Sequence, residues 1–124
     1  MIYFKFTEMN LQEENISNLV SQLLEADLYK LVVQQIKKDF ELSGQAIDIN
    51  EFTSPENLVK EIYKKIQYLL EHNFDAFLQV LYRVDLPEEV MNFGIQNTES
   101  IAQRATFYIV QKEWKKVKLR GSFK

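Results

Sequence analysis

The chain has 124 residues, 46% of them hydrophobic and 27% charged, which is enough for one domain with a real core and too apolar for disorder. Only 3 glycines, 2 prolines and no cysteine occur, which argues against a turn-rich sandwich or barrel and excludes disulfides, thiol redox chemistry and Cys-ligated zinc or iron–sulfur clusters. The net charge of −3 is unevenly divided: residues 1–111 carry 9 Lys and Arg against 17 Asp and Glu, whereas residues 112–124 carry 6 against 1.

Residues 1–9 precede any helix signal; Ile2, Phe4 and Phe6 alternate with Tyr3, Lys5 and Thr7, as in a flexible or strand-like arm that a dimer partner could pair. This opening has no basic region followed by an apolar stretch, so no signal peptide is expected. Asn10 and Glu13 form a capping-box pattern, and Ile16, Leu19, Val20, Leu23 and Leu24 then follow the spacing of one buried helix face. Asp27 interrupts that pattern or caps a second helix carrying Leu28, Leu31, Val32, Ile36 and Phe40, which Ser43 and Gly44 end. Residues 45–53 lack helical period and read as a loop pinned by Ile47, Ile49 and Phe52.

The third helix has the fullest signature. Thr53 or Ser54 caps it, Pro55 sits where its missing N–H costs nothing, and Glu56 favours the positive end. Leu58, Val59, Ile62, Tyr63, Ile66, Leu69 and Leu70 make an unbroken apolar stripe, and Glu56–Lys60 and Glu61–Lys65 have ion-pair spacing. His72 and Asn73 mark a break, after which Phe74, Phe77, Leu78 and Leu81 continue the period in a fourth helix. Arg83 favours the carbonyl end of that helix, while Asp85 with Glu88, and Pro87 between them, predict the cap of a short fifth one. Tyr68 and Tyr82 fall off the apolar stripes and are expected at the surface.

Thr98 is the expected cap of a last helix running to about Lys118, before Gly121. At 100° per residue, Ile101, Ala105, Tyr108 and Ile109 gather on one side and Phe107, Val110, Trp114 and Val117 on roughly the other. Lys112, Lys115 and Lys116 continue the first line but replace it with charge. The helix is thus expected to be buried on two faces early and on one face late, with residues 119–124 as a frayed tail.

Signals for chemistry are poor. The single histidine, His72, has no further ligands at metal-binding spacing and reads as a helix C-terminal cap. No Gly-rich phosphate loop, nucleophile elbow or paired-histidine zinc motif occurs. Asp48, Asn50 and Glu51 start like a calcium loop, but the glycine and the terminal glutamate are misplaced. Glu88 and Glu89 lie in a helical first turn, where carboxylates complement the dipole. No enzymatic activity, catalytic residue, metal, cofactor or small-molecule ligand is implied.

The basic C-terminus allows three readings: a solvated helix face, docking against the acidic surface of the same chain or a sister subunit, and nucleic-acid contact in which lysines touch phosphates and Trp114 stacks. The overall acidity, with a pI of about 5.2, opposes the last. The candidate interaction surface is Lys112, Lys115, Lys116, Lys118 and Arg120.

The segments at residues 38–44, 77–85 and 111–117 together resemble small uncharacterised bacterial proteins of helical type, over roughly residues 35–120. That resemblance implies a bacterial, cytoplasmic helical domain and supplies no activity or site residue. The expectation is therefore a single all-α domain, residues 1–124, of five or six helices with mostly antiparallel neighbours. Its expected role is a non-enzymatic protein-interaction or assembly module, self-association included, with no membrane attachment; the alternative is a nucleic-acid-associated accessory protein using the basic helix face.

Overall fold

The computed structural model describes residues 28–87 and 97–121, together with the isolated position 18. Four helices make up this part: α1 (Tyr29–Leu42), α2 (Pro55–His72), α3 (Phe74–Val84) and α4 (Thr98–Gly121). No strand occurs among the described residues, so the all-α expectation holds at that level. The N-terminal arm, the predicted helix after Asn10 apart from the helical position 18, and the predicted helix after Asp85 beyond residue 87 lie outside the described residues. No described helix is long and apolar enough to cross a membrane.

Helix α1 is amphipathic at helical spacing: Tyr29, Val32, Val33, Ile36 and Phe40 are buried. Leu31, expected on that face, is exposed, because the buried arc is centred on Val32, Val33 and Ile36 and turns position 31 toward solvent. Leu28 stands at the N-cap without a side-chain acceptor, and Asp27, the alternative cap, lies outside the described residues. The helix stops at Gly44, whose φ of 78° is left-handed. Gln45 N–H donates to Phe40 O at 2.8 Å and Gly44 N–H to Glu41 O at 3.0 Å, the bond pair of a Schellman stop.

Residues 45–54 are non-helical, as the sequence suggests, and Ile47 and Ile49 pin them to the core. Phe52, expected as a third pin, is instead 87% exposed. It sits in a turn closed by Asn50: Phe52 N–H donates to Asn50 Oδ1 at 2.8 Å, and Thr53 N–H to Asn50 O at 2.9 Å. The Asx turn fixes the backbone and points that ring outward. The loop's end is tied to α1 by the Tyr29 hydroxyl, which donates to Thr53 O at 2.5 Å. Burial pushes the Tyr29 phenol up to about 12.

Ser54 caps α2 by accepting from Asn57 N–H at 3.2 Å, with Pro55 at the first position. Leu58, Ile62, Ile66 and Leu69 are fully buried, and each contributes about 1.5–3 kcal/mol of apolar burial. Val59, Tyr63 and Leu70 flank them, half-buried. Of the two expected ion pairs, the structure uses neither: Glu61 pairs with Lys64 at 3.3 Å, one residue closer than Lys65.

Asn73 alone separates α2 from α3, accepting from Ala76 N–H at 3.1 Å. In α3 the buried residues are Ala76, Phe77, Val80, Leu81 and Val84. Phe74 stands at the exposed rim, its ring 5.6 Å from that of Phe77, and Tyr68 and Tyr82 are exposed as expected. Asp85 differs from its predicted role: it closes α3 rather than taking the extended geometry of an N-cap. Its φ is 75°, and Leu86 N–H donates to Leu81 O at 2.8 Å. Asp tolerates the left-handed region better than most residues, so it serves where glycine is absent.

Helix α4 packs on all three others, most extensively on α2. Its cap is Asn97, which accepts from Ser100 N–H at 2.7 Å, one residue before the predicted Thr98. The first half is buried on two faces, with Ile101, Ala102, Ala105, Ile109 and Val110 in the core. Thr106 is buried too, its hydroxyl donating to Ala102 O at 2.7 Å. The helix continues to Gly121, past the Lys118 end read from the sequence.

Candidate functional site: a buried carboxyl pair beneath a basic groove

The C-terminal half of α4 meets α1 and the end of α3 through charge. Lys116 reaches inward, its Nζ donating to Asp39 Oδ2 at 2.7 Å and more weakly to Val84 O at 3.4 Å. It also lies 2.8 Å from Glu113 Oε1, one turn back on the same helix. Asp39 is almost completely buried and Glu113 has no exposed side-chain surface at all. Gln35 donates to Asp39 Oδ1 at 3.2 Å, and Arg120 donates to Gln35 Oε1. A polar relay therefore runs from exposed Arg120 to the buried acids.

Two carboxyl groups share one ammonium in this cluster. If both were ionised, a negative charge would be buried without a counter-ion, which costs several kcal/mol. Neither Glu113 oxygen is hydrogen-bonded by a donor among the described residues, since Lys116 approaches it off the hydrogen-bonding direction. A neutral Glu113 removes both problems, because its O–H can donate to the Asp39 carboxylate. Burial first, and hydrogen bonding with Asp39 second, push the Glu113 carboxyl up to about 8. Burial also acts to raise Asp39, but hydrogen bonds from Glu113, Lys116 and Gln35 outweigh it and hold that carboxyl below its ordinary value. Burial would lower Lys116; its two acidic neighbours leave it raised instead.

Above the cluster, α1 and the end of α4 form a groove of two adjoining cavities of about 290 and 350 Å³. Gln35, Lys38 and Arg120 line both, with Leu28, Leu31 and Val117 at one end and Leu119 at the other. Among the described residues, no three His, Asp or Glu side chains gather as a metal-holding group.

Compared with family models, with curated proteins and with solved structures, the chain matches none.

The five cations read from the sequence have different fates. Lys116 is drawn into the cluster, and Lys112 lies 3.7 Å from the Asp85 carboxylate. Lys118 sits over the Trp114 ring, 4.8 Å from its centroid, and Arg120 bonds Gln35. Lys115 is exposed. Trp114 is half-buried against the core, as its place on the Val110–Val117 stripe suggests.

Sequence reasoning missed Asp39 and Glu113. The signal was positional: Asp39 falls on the Val32–Ile36 line of α1, and Glu113 between Val110 and Val117 on α4. An acid on an apolar stripe needs a partner, and here each is part of the other's solution.

Proposed function

We propose that the protein is a self-associating interaction module in which the basic groove between α1 and α4 takes the acidic aromatic corner where α2 meets α3 on a second copy. The observation that carries this reading is complementarity between two exposed patches. The groove offers Lys38 and Arg120 around the exposed side chains of Leu31 and Leu119. The corner offers Glu71 and Asp75 around exposed Tyr68 and Phe74. Apolar centres rimmed by opposite charges suit recognition, the charges setting orientation and the apolar groups the affinity. The patches are different, so the contact is head-to-tail and builds rings or chains rather than a simple two-fold dimer.

Light scattering over a concentration series tests this. Expected is association at micromolar protein that weakens with salt. Lys38→Glu with Arg120→Glu should abolish it, and adding Glu71→Lys with Asp75→Lys should restore it. A strict monomer at high micromolar concentration sinks the reading. The nucleic-acid alternative has less support, because Lys112 and Lys116 are paired with acids and Trp114 is half-buried under Lys118. Oligonucleotide binding at low salt that disappears on changing exposed Lys115 and Lys118 to Glu would favour it instead.

A further inference from the structure

We infer that Asp39, Glu113 and Lys116 form a one-proton latch that fastens the C-terminal half of α4 to α1, and that loss of the proton held between the two carboxyl groups releases that half of the helix. The geometry supplies the reason. Among the described residues, α1 contributes the Asp39 carboxylate, with Gln35 as its hydrogen-bond donor. Helix α4 contributes Glu113, Lys116 and, one turn earlier, Lys112. The end of α3 contributes the Val84 carbonyl and Asp85, which pairs with Lys112. Among the described residues, the charged groups that act directly on Glu113 are Asp39 and Lys116, and none from α2 does. The closed latch is electrically balanced with one carboxylate, one carboxylic acid and one ammonium.

Opening by base breaks the Glu113 O–H bond and passes the proton to water. Two carboxylates then face one ammonium in a site with no water-exposed Glu113 surface. The cheapest relief is to carry Glu113 into solvent. That motion takes the last turns of α4 off α1 and exposes Val117 with them, while Lys118, Leu119 and Arg120 beyond it are already exposed. The first half of α4 keeps its apolar seat on α2 and is not released. This inference is independent of the docking proposal: a strict monomer could carry the latch.

Hydrogen exchange of the intact protein, corrected for the intrinsic pH dependence of exchange, reads the opening directly. The closed latch holds its proton up to about pH 8 and the open one only to the ordinary glutamate range near 4.5. Protection of amides in residues 112–120 should therefore fall about tenfold per pH unit through that window and level off above it. Residues 58–69 of α2 should stay better protected at every pH. In Glu113→Gln, which is neutral at all pH values, the slope should vanish. In Asp39→Asn, which removes the carboxylate beside Glu113, protection should level off at lower pH than in the parent. Protection that is independent of pH in the parent overturns the latch. So does the same protection in 112–120 and 58–69, since opening is then global unfolding. If Glu113→Gln fails to fold, an unchanged levelling pH in Asp39→Asn overturns it equally.

Discussion

The two halves of α4 are held by different physics. Residues 98–110 are fixed by apolar burial: Ile101, Ala102, Ala105, Ile109 and Val110 sit in a seam formed largely with α2. Residues 111–121 keep only Val117 as a fully apolar buried anchor and rely on Lys112, Glu113, Lys116 and Arg120. Burial of hydrocarbon is non-directional and indifferent to protons. Buried charges are directional and tied to the protonation state of each member. One helix thus joins a seam that ignores pH to one that depends on it.

The largest test sets one substitution in each half side by side. Lys116→Ala should cost about 3–5 kcal/mol near neutral pH, because it leaves the Asp39 carboxylate buried without its cation. Ile109→Ala should cost about 2–5 kcal/mol through lost burial and a cavity. Urea denaturation near neutral pH would give similar losses, and the distinction appears on acidification. The cost of Lys116→Ala should shrink as Asp39 becomes protonated, while that of Ile109→Ala should stay constant. Parallel pH profiles for the two variants would erase the difference between the halves.

A second effect, smaller over any single pH unit, is the pH dependence of the parent protein. Glu113 has a raised folded-state pKa, so its contribution is complete below the ordinary glutamate value near 4.5 and is lost as pH rises to about 8. Within that window the slope is about 1.4 kcal/mol per pH unit. Asp39 has the opposite sign: its folded pKa is depressed, so its contribution is present above the ordinary aspartate value and lost as pH falls through the folded one. Together they place the cluster's greatest stability at mildly acid pH. Subtracting the denaturation profile of Glu113→Gln from that of the parent should isolate a decline that ends near pH 8. A flat difference would mean that Glu113 is ionised in the folded protein.

How much of this was legible in the sequence depends on the kind of signal. Local chemistry was: Ser54–Pro55 and Ser43–Gly44 mark real helix ends because capping is settled by a few adjacent residues. So was the stripe of α2, whose period is unbroken. The misplacements, Leu31, Phe52 and Phe74, arose where an apolar residue lies at the edge of a buried arc, and only packing decides its side. Asp85 misled because the same short polar side chain suits both an N-cap and a left-handed stop. The cluster was hidden for a further reason. Counting charge over residues 112–124 treats Glu113 as one acid among six cations, whereas its place between Val110 and Val117 puts it in the core. The partner that makes this tolerable, Asp39, is 74 residues away in sequence.

The smallest effect tests whether depth, rather than charge, divides the cations of α4. Lys112 and Lys116 are one turn apart and each meets an aspartate, at 3.7 Å for Asp85 and 2.7 Å for Asp39. The Asp85 side chain is 84% exposed, so water and salt screen its pair, and such pairs are worth about 0–1 kcal/mol. Lys112→Ala should therefore cost no more than about 1 kcal/mol and nothing measurable in high salt. Asp85→Gly breaks the same pair but places glycine at φ 75°, where it is the favoured residue. Its stability should stay within about 0.5 kcal/mol of the parent, the relieved backbone offsetting the lost pair. If Lys112→Ala proved as damaging as Lys116→Ala, proximity to any acid would suffice to anchor the helix, and burial of Glu113 and Asp39 would have no special part. A cost several-fold smaller, and sensitive to salt, assigns the anchoring to the one lysine that reaches the interior.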